Sequence, residues 1–559
     1  MQRLIECVPN FSEGLDRAVI DAITSQIETV EGVKLLDVDP GRATNRTVVT
    51  FVGSPEDVIE AAVRAIAKAT ELIDMSQHSG EHPRFGATDV CPLVPVSGVT
   101  MEETVEYAHE LARRLADEVG LSIYCYENAA RVPERWNLAD VREGEYEGLA
   151  SRLQDPAWKP DFGPATFNPR SGATAVGARG FLIAYNVNLN TTSTRRANAI
   201  AFDVRERGRV KRTGHPLTGE VVLDENGEDV WIPGSLEKVK AIGWYIDEYG
   251  VAQISMNLTD ISVTPVHAAF DEVRARADAR GVYVTGSELV GLIPLDAMLE
   301  AGRHYLHKQQ RSTGVSDAEL IKIAVKSLGL DELAPFDPRE KIVEYAIEDR
   351  TGRLVDLSVR RFVEETASES VAPGGGSVSA NLGALGAALG TMVANLSSHK
   401  RGWDERWEEF STWADRGKAC HEELVALIDA DTAAFKEIMA AFGMSQSTEA
   451  EKAERHDAIQ AATRRAIEIP IRVMEVSLAS MEVIAAMAEI GIPASVSDAG
   501  VGALCARSAV MGAYLNVRIN AETLNDKDQA ADYVRRGREL QDRAITREAE
   551  ILAEVERRL

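Results

Sequence analysis

The chain has 559 residues, and its 61 Lys and Arg against 88 Asp and Glu give a formal charge of −27. That length exceeds what one hydrophobic core supports and suggests three or four folding units at roughly 150 residues each. The acidic balance excludes nucleic acid or an anionic membrane as the main partner, because both reward clustered Lys and Arg.

Five cysteines, at 7, 91, 125, 420 and 505, form no CxxC pair and no zinc-spaced cluster. A reduced cytoplasmic compartment and no metal are therefore expected. The N-terminus lacks the apolar run of a signal peptide. The most apolar later window, Leu382 to Leu396, is shorter than a membrane span, so no targeting or transmembrane segment is expected.

Taken in order, the first third alternates strand and helix patterns. Leu4 to Val8 reads as a strand, and Asp16 to Val30 as a helix through Val19, Ile20, Ile23 and Ile27. Val33 to Val38 and Thr47 to Val52 read as strands joined by a turn-rich segment over 39–46. Then come a helix over Pro55 to Ile73, a strand over Val90 to Val96, a helix over Met101 to Val119 and a strand over Ser122 to Tyr126. The order is a split β-α-β-β-α-β unit with one more helix and strand.

Ahead of the Val90 strand lies Gly80-Glu81-His82-Pro83-Arg84-Phe85-Gly86-Ala87-Thr88-Asp89. A residue before proline is pushed to extended geometry and the two glycines allow sharp turns, so His82 sits on a structured loop leading into a strand. That is a place for a proton carrier; a histidine that only closes a loop fits the spacing as well.

The segment Gly172 to Arg179 superficially suggests a phosphate loop ahead of a strand at 181–187. No Gly-Lys-Ser/Thr follows, and a dinucleotide fingerprint needs its strand before it. A second α/β unit runs from about 181 to 328. It is interrupted by a polar insertion, Arg212 to Ser235, whose Asp224-Glu225-Asn226-Gly227 reads as the tip of a surface hairpin.

From about Lys341 strand patterns disappear and long helices take over. The expected division is 1–180, 181–330, a linker at 331–340, and a helical domain over 341–559.

In that helical half, Gly374, Gly375, Gly376 and Ser377 precede a helix with Ala380, Ala384, Ala387 and Thr391 on one stripe. The loop offers donors for an anion, or is simply a helix start capped by Ser377. Leu424, Leu427, Ile428, Asp431, Phe435 and Ile438 share one helix face, so a carboxylate stands where the pattern calls for an apolar residue, while Asp429 points elsewhere. Apolar neighbours raise a carboxyl's pKa and make it a usable proton carrier; a buried Asp satisfied by a neighbouring helix is the plain alternative. A later helix carries Gly502, Ala506, Ala509 and Ala513, with Asn516 and Asn520 continuing the stripe. The charged segment Asp526 to Leu559 reads as a solvated bundle or dimer helix.

Several blocks carry a family resemblance. Cys7 to Gly14, Leu36 to Asp39, Thr44 to Val48, Gly80 to Arg84 and Asp161 to Pro164 resemble the glutamate formimidoyltransferase family. Pro373 to Ser377, Asp429 to Asp431 and Ser497 to Leu504 resemble the formimidoyltetrahydrofolate cyclodeaminase family. The two families occur fused in this order, and the resemblance covers essentially the whole chain.

The resemblance implies an α+β transferase half of two ferredoxin-like α/β subdomains, followed by an all-α helical-bundle cyclodeaminase domain. It implies transfer of a formimidoyl group from N-formimidoylglutamate to N5 of tetrahydrofolate, then ring closure to 5,10-methenyltetrahydrofolate with loss of ammonia. Tetrahydrofolate, in polyglutamylated form, is then a co-substrate, and no tightly bound cofactor or metal is needed. His82 matches the family's catalytic histidine and Asp431 its catalytic aspartate, with Asp39 as a candidate to orient or polarise His82.

The family's folate segment matches Gly163, Pro164, Ala165, Thr166, Phe167, Asn168, Pro169, Arg170, Ser171 and Gly172, with Gly374, Gly375, Gly376 and Ser377 serving the second site. Arg46, Arg84 and Arg179 are candidates for substrate carboxylates. A homo-oligomer with dimer contacts in both halves is also implied. The Arg212 to Ser235 insertion is the main departure from the animal fusion proteins. Two other readings stand beside this one: a methenyltetrahydrofolate cyclohydrolase in the helical half, and a folate-binding scaffold without catalysis.

Overall fold

Proline interrupts the central strand of the first sheet. β1 (Leu4–Cys7) and β2 (Asn10–Phe11) flank Val8 and Pro9, and each pairs antiparallel with both β4 (Arg46–Gly53) and β5 (Thr88–Ser97). Pro9 has no N–H to give the ladder, so the strand breaks there and resumes. The computed structural model describes residues 3–559 apart from 43, 81, 215–218 and 349–351. Two of the segments read from sequence, the 39–46 turn and the 212–235 insertion, thus lie partly outside the described residues, as does position 81 of the His82 loop.

In chain order, α1 (Arg17–Glu28), β3 (Lys34–Gly41), β4, α2 (Pro55–Leu72), β5, α3 (Met101–Arg114) and β6 (Ser122–Glu127) lead through two short helices, α4 (Leu138–Val141) and α5 (Glu145–Arg152), to β7 (Ala173–Ala178). β3 pairs with the outer side of β4. On the other side β7 lies between β5 and β6, parallel to both. Helices α1 to α3 cover one face, with Ile5, Cys7, Phe51, Leu93, Ile123 and Val176 in the core beneath them.

Residues 173–178, read only as a segment ahead of a strand, are themselves β7. A strand of Ala, Thr, Val and Gly suits a fully buried place between two others, and Gly177 has the Tyr126 ring where a Cβ would stand.

The second sheet follows from Ile183. It comprises β8 (Ile183–Leu189), β11 (Val239–Ile246), β12 (Val251–Leu258) and β13 (Val284–Val290), in the order β11-β12-β8-β13 and antiparallel throughout, with α6 (Thr194–Val204) and α7 (Val266–Asp278) between strands in sequence. Its face turned from these helices carries buried Asn186, Asn188 and Gln253 rather than hydrocarbon. The insertion includes β10 (Trp231–Ile232), which pairs with β9 (Arg209–Val210), and the 224–228 turn closes with Gly227 at φ +84°. This is the hairpin tip read from Asp224 to Gly227.

Chain contacts divide the protein into two units. The α/β unit holds residues 1–301 and 321–348, and the helical unit holds 302–320 and 349–559. α8 (Leu295–Lys308) and α9 (Asp317–Leu328) span that division, and α10 (Pro338–Lys341) and α11 (Val343–Ile347) belong to the α/β unit. The expected linker at 331–340 and the first residues of the expected helical domain are therefore part of the α/β unit: Ile342 bridges to Ile293 and Lys341 donates to Asp37 (3.3 Å). Amphipathic helices state that they pack, and not on what, so this exchange of segments is not written locally.

In the helical unit, α12 (Val359–Thr366) precedes α13 (Gly375–Ser398), α14 (Trp407–Phe442), α15 (Glu449–Ile490), α16 (Val496–Glu522) and α17 (Lys527–Arg558). α13 is longer than the apolar window suggested: at 24 residues it is long and apolar enough to cross a membrane, yet 61% of its most apolar window is buried inside the bundle. The small-residue stripes meet. A Cβ on Gly386 would lie 2.8 Å from the Gly502 carbonyl oxygen, and one on Gly502 would lie 3.0 Å from that of Gly386, so α13 and α16 touch backbone to backbone. Within α15, Pro470 cannot donate to Ala466, and the Asn520 amide of α16 takes that carbonyl instead (2.8 Å).

Candidate active site

His82 lies on the loop before β5, and its surroundings are built by that strand and by β4. Asp89, the second residue of β5, is fully buried and accepts from both Arg46 at the start of β4 and Arg142 just after α4. Arg46 also donates from Nε to the Asn10 side-chain carbonyl (3.0 Å), and its Nη1 stands 3.1 Å from His82 Nδ1. His82 Nδ1 is 2.7 Å from the carbonyl of Pro83. Nδ1 thus faces both a carbonyl, which takes a hydrogen bond from it in one neutral tautomer, and a guanidinium N–H, which donates to it in the other; in the first, Nε2 keeps the lone pair.

The ring is neutral for an electrostatic reason. Burial, then the charges of Arg46 and Arg142, hold the His82 pKa down to about 3, against a smaller opposite pull from Asp89. This differs from the near-neutral imidazole expected of a proton carrier on an open loop, because two guanidiniums pack beside it.

Asp39 does not orient it. Among the described residues the ring bonds to Pro83 and Arg46, whereas Asp39 accepts from the backbone N–H of Gly291 (3.3 Å) and its pKa is raised by burial. The carboxylate nearest His82 in the network is Asp89.

The three candidate arginines part ways. Arg46 is committed to Asp89 and Asn10. Arg84 pairs with Glu147 and donates to the His78 carbonyl (3.3 Å), tying the loop to α5. Arg179 donates to its neighbour's carbonyl at Gly180 (2.9 Å), and its charge lowers the pKa of Glu6, which burial nonetheless pushes up to about 7. Asp89 and Arg142 were not singled out from sequence; the available signal was a carboxylate placed immediately before a wholly apolar strand.

The 163–172 segment runs beside the same loop. Gly172, at φ +64°, bridges antiparallel to Gly86, and Ala87 donates to the Ser171 carbonyl (2.8 Å). Asn168 turns the chain by accepting from Arg170 N (3.0 Å), and Tyr146 donates to the Pro169 carbonyl (2.6 Å) while its ring meets Phe167 at 5.5 Å. Gly163 to Thr166 and Asn168 to Arg170 are exposed.

The second arrangement is in the helical unit. Gly374 caps α13, and Ser377 in its first turn donates to Asp431 of α14 (2.9 Å) while its oxygen stands 3.2 Å from the Thr432 hydroxyl. The backbone of Gly376 lies directly against the Asp431 carboxylate. Burial raises the Asp431 pKa, and hydrogen bonds from the Ser377 hydroxyl and backbone N–H pull it the other way.

Leu424, Leu427 and Ile428 are buried as expected, but Phe435 is 38% exposed. The apolar face therefore ends near Asp431, which occupies its rim. Asp429 does point elsewhere, accepting from Leu354 N (2.7 Å). Asn516 of α16 comes beside Gly375, with Nδ2 3.4 Å from where a Cβ would stand; its place on the small-residue stripe was legible, its neighbour was not. Among the described residues no group of three or more His, Cys, Asp or Glu is placed to hold a metal.

A histidine beside a buried arginine pair in an α/β unit, and an aspartate at a glycine-rich helix start in a helical one, define a chain with two separately built sites. The profile of the formiminotransferase domain, N-terminal subdomain, matches residues 4–179, that of the formiminotransferase domain 184–348, and that of formiminotransferase-cyclodeaminase 358–539. The chain is 43% identical to formimidoyltransferase-cyclodeaminase of Mus musculus over 94% of each chain. It is 39% identical to glutamate formimidoyltransferase of Streptococcus pyogenes serotype M1 over 55% of this chain and 94% of that one. Over 30% of this chain and 82% of the other, it is 34% identical to methenyltetrahydrofolate cyclohydrolase of Methylorubrum extorquens. The chain belongs to the formiminotransferase-cyclodeaminase family.

Proposed function

We propose that this is a bifunctional folate enzyme of histidine degradation. It transfers the formimidoyl group of N-formimidoyl-L-glutamate to N5 of tetrahydrofolate, releasing glutamate, and then closes 5-formimidoyltetrahydrofolate to 5,10-methenyltetrahydrofolate with release of ammonia. The observation that carries the reading is the order of the family matches along one chain, transferase over 4–348 and cyclodeaminase over 358–539.

In the first reaction N5 attacks the formimidoyl carbon and loses its proton to Nε2 of His82; the C–N bond to glutamate breaks and its nitrogen leaves protonated. With Nδ1 donating to the Pro83 carbonyl, Nε2 keeps the lone pair that this role needs. In the second, N10 attacks the same carbon and gives up its proton; the departing nitrogen gains that proton and one held by Asp431 and leaves as ammonia. A carboxyl with a raised pKa at the end of an apolar face is suited to hold that proton near neutral pH.

Residues 163–172 hold the folate at the first site and 374–377 at the second; exposed backbone beside His82 and a glycine-rich helix start against Asp431 support both placements. Tetrahydrofolate enters as a co-substrate in polyglutamylated form. The strand order of both sheets, with the second-to-third strand pair flanking the first and the fourth beyond it, supports the ferredoxin-like reading of each subdomain.

The reading includes a homo-oligomer with contacts in both halves, in the cytoplasm. Support for self-association in the helical half comes from exposed Leu385, Met392 and Leu396 on α13 and Leu504, Leu515 and Ile519 on α16. Light scattering checks the assembly.

A coupled assay with N-formimidoylglutamate and tetrahydrofolate, following methenyl absorbance and ammonia together, tests the two reactions. The similarity to a methenyltetrahydrofolate cyclohydrolase favours one rival for the helical half. Hydrolysis of the methenyl product without ammonia release from 5-formimidoyltetrahydrofolate would establish that rival.

A further inference from the structure

Among the described residues the cluster beside His82 holds two guanidiniums and one carboxylate. Asp89 has 0% of its side chain exposed and uses Oδ2 for both Arg46 and Arg142, while its Oδ1 has no partner among the described residues. Arg46 has Nε on Asn10 and Nη1 between Asp89 and His82. Among the described residues Arg142 is engaged through Nη2, its Nε is buried without a partner, and its side chain is 13% exposed. The imidazole adds no negative charge. Among the described residues the cluster thus carries one positive charge more than its carboxylate answers, next to the reacting ring. Charge buried without a counter-ion is costly, and an arriving anion relieves that cost.

Tyr126, on β6, is 3% exposed and lies within electrostatic reach of both Arg142 and Arg179.

We infer that Arg142, held in place by Asp89, binds a carboxylate of the formimidoyl donor and sets the enzyme's requirement for a dicarboxylic substrate. The inference rests on the transferase reading above and moves the substrate-carboxylate role away from Arg46, which Asp89 and Asn10 hold, and from Arg84, whose charge Glu147 answers. Asp89 is a positioning residue: it aims the Arg142 fork without touching substrate. A carboxylate docked on Arg142 also supplies the negative charge that would let the neighbouring imidazole accept a proton, coupling donor binding to chemistry.

The test compares wild type, Arg142→Met and Arg142→Lys in full-length protein with three donors: N-formimidoylglutamate, its α-amide and its γ-amide. Losing Arg142 leaves Arg46 and Asp89 as a balanced pair, so the fold is expected to survive, and melting curves check it. Wild type is expected to disfavour one of the two amides strongly. Arg142→Met should raise KM for N-formimidoylglutamate by roughly 10- to 100-fold with a smaller change in kcat, and should no longer distinguish N-formimidoylglutamate from that amide. Arg142→Lys should fall between, keeping the charge but not the fork.

The amide that wild type rejects identifies the bound carboxylate. An unchanged KM, or a raised KM with wild-type selectivity retained, overturns the inference, and if Arg142→Met does not fold, the same two criteria applied to Arg142→Lys decide. If wild type transfers nothing, the transferase reading falls instead, and calorimetric binding of N-formimidoylglutamate to wild type and Arg142→Met decides the present one.

Discussion

Gly376 and Asp431 are in backbone-to-carboxylate contact: a Cβ at 376 would fall inside the van der Waals radius of the Asp431 oxygens. The glycine is required by that approach rather than by its dihedral angles, since it lies within a regular helix. Gly376→Ala should displace the carboxylate and lower cyclodeamination of supplied 5-formimidoyltetrahydrofolate by about 100-fold, the cost typical of an ångström-scale misplacement. Formimidoyl transfer, measured as glutamate release, should be unchanged.

The two chemistries should separate by mutation. His82→Ala should lower transfer by roughly 10²- to 10⁴-fold, the usual loss when a positioned proton carrier is removed, and leave cyclodeamination intact. Asp431→Ala should do the reverse. Single-step assays of each variant check this, and impairment of one common step by both would refute the two-site arrangement.

His82 also marks the acid limb of stability. Its pKa in the folded protein is about 3, below its ordinary value of about 6.5. Between those values the unfolded chain binds a proton that the folded one does not, so stability falls as the pH drops below about 6.5. Wild type should lose more thermal stability than His82→Gln between pH 7 and pH 5. Parallel melting profiles for the two would show that the ring titrates normally.

Asn520 substitutes for a missing backbone donor at the Ala466 carbonyl opposite Pro470. Asn520→Ala should destabilise the helical unit by about 1 kcal/mol, because the site is partly open and water replaces some of the bond. Urea unfolding followed by helical circular dichroism checks it, and restoring the donor through Asn520→Gln should recover little, since the longer side chain no longer reaches in register.

What sequence alone determined was local and periodic. The strands from Leu4 onward, the helices of the first third, the hairpin tip at Asp224 to Gly227, the all-helical second half and Asp431 on an apolar face were all legible, because spacing and turn chemistry are properties of neighbours in the chain. The family blocks singled out His82 as a candidate and set the expected order of the two reactions. Tertiary structure decided what sequence separation hides. It placed Asp89, Arg46 and Arg142 around one imidazole from three distant segments, sent Asp39 to Gly291 instead, moved residues 302–320 into the helical unit, and made Ala173 to Ala178 a buried strand. Each of these depends on which surfaces meet. A guanidinium's partner, an imidazole's charge and a small residue's value in a core are set by atoms brought from elsewhere, and no local pattern of residues states them.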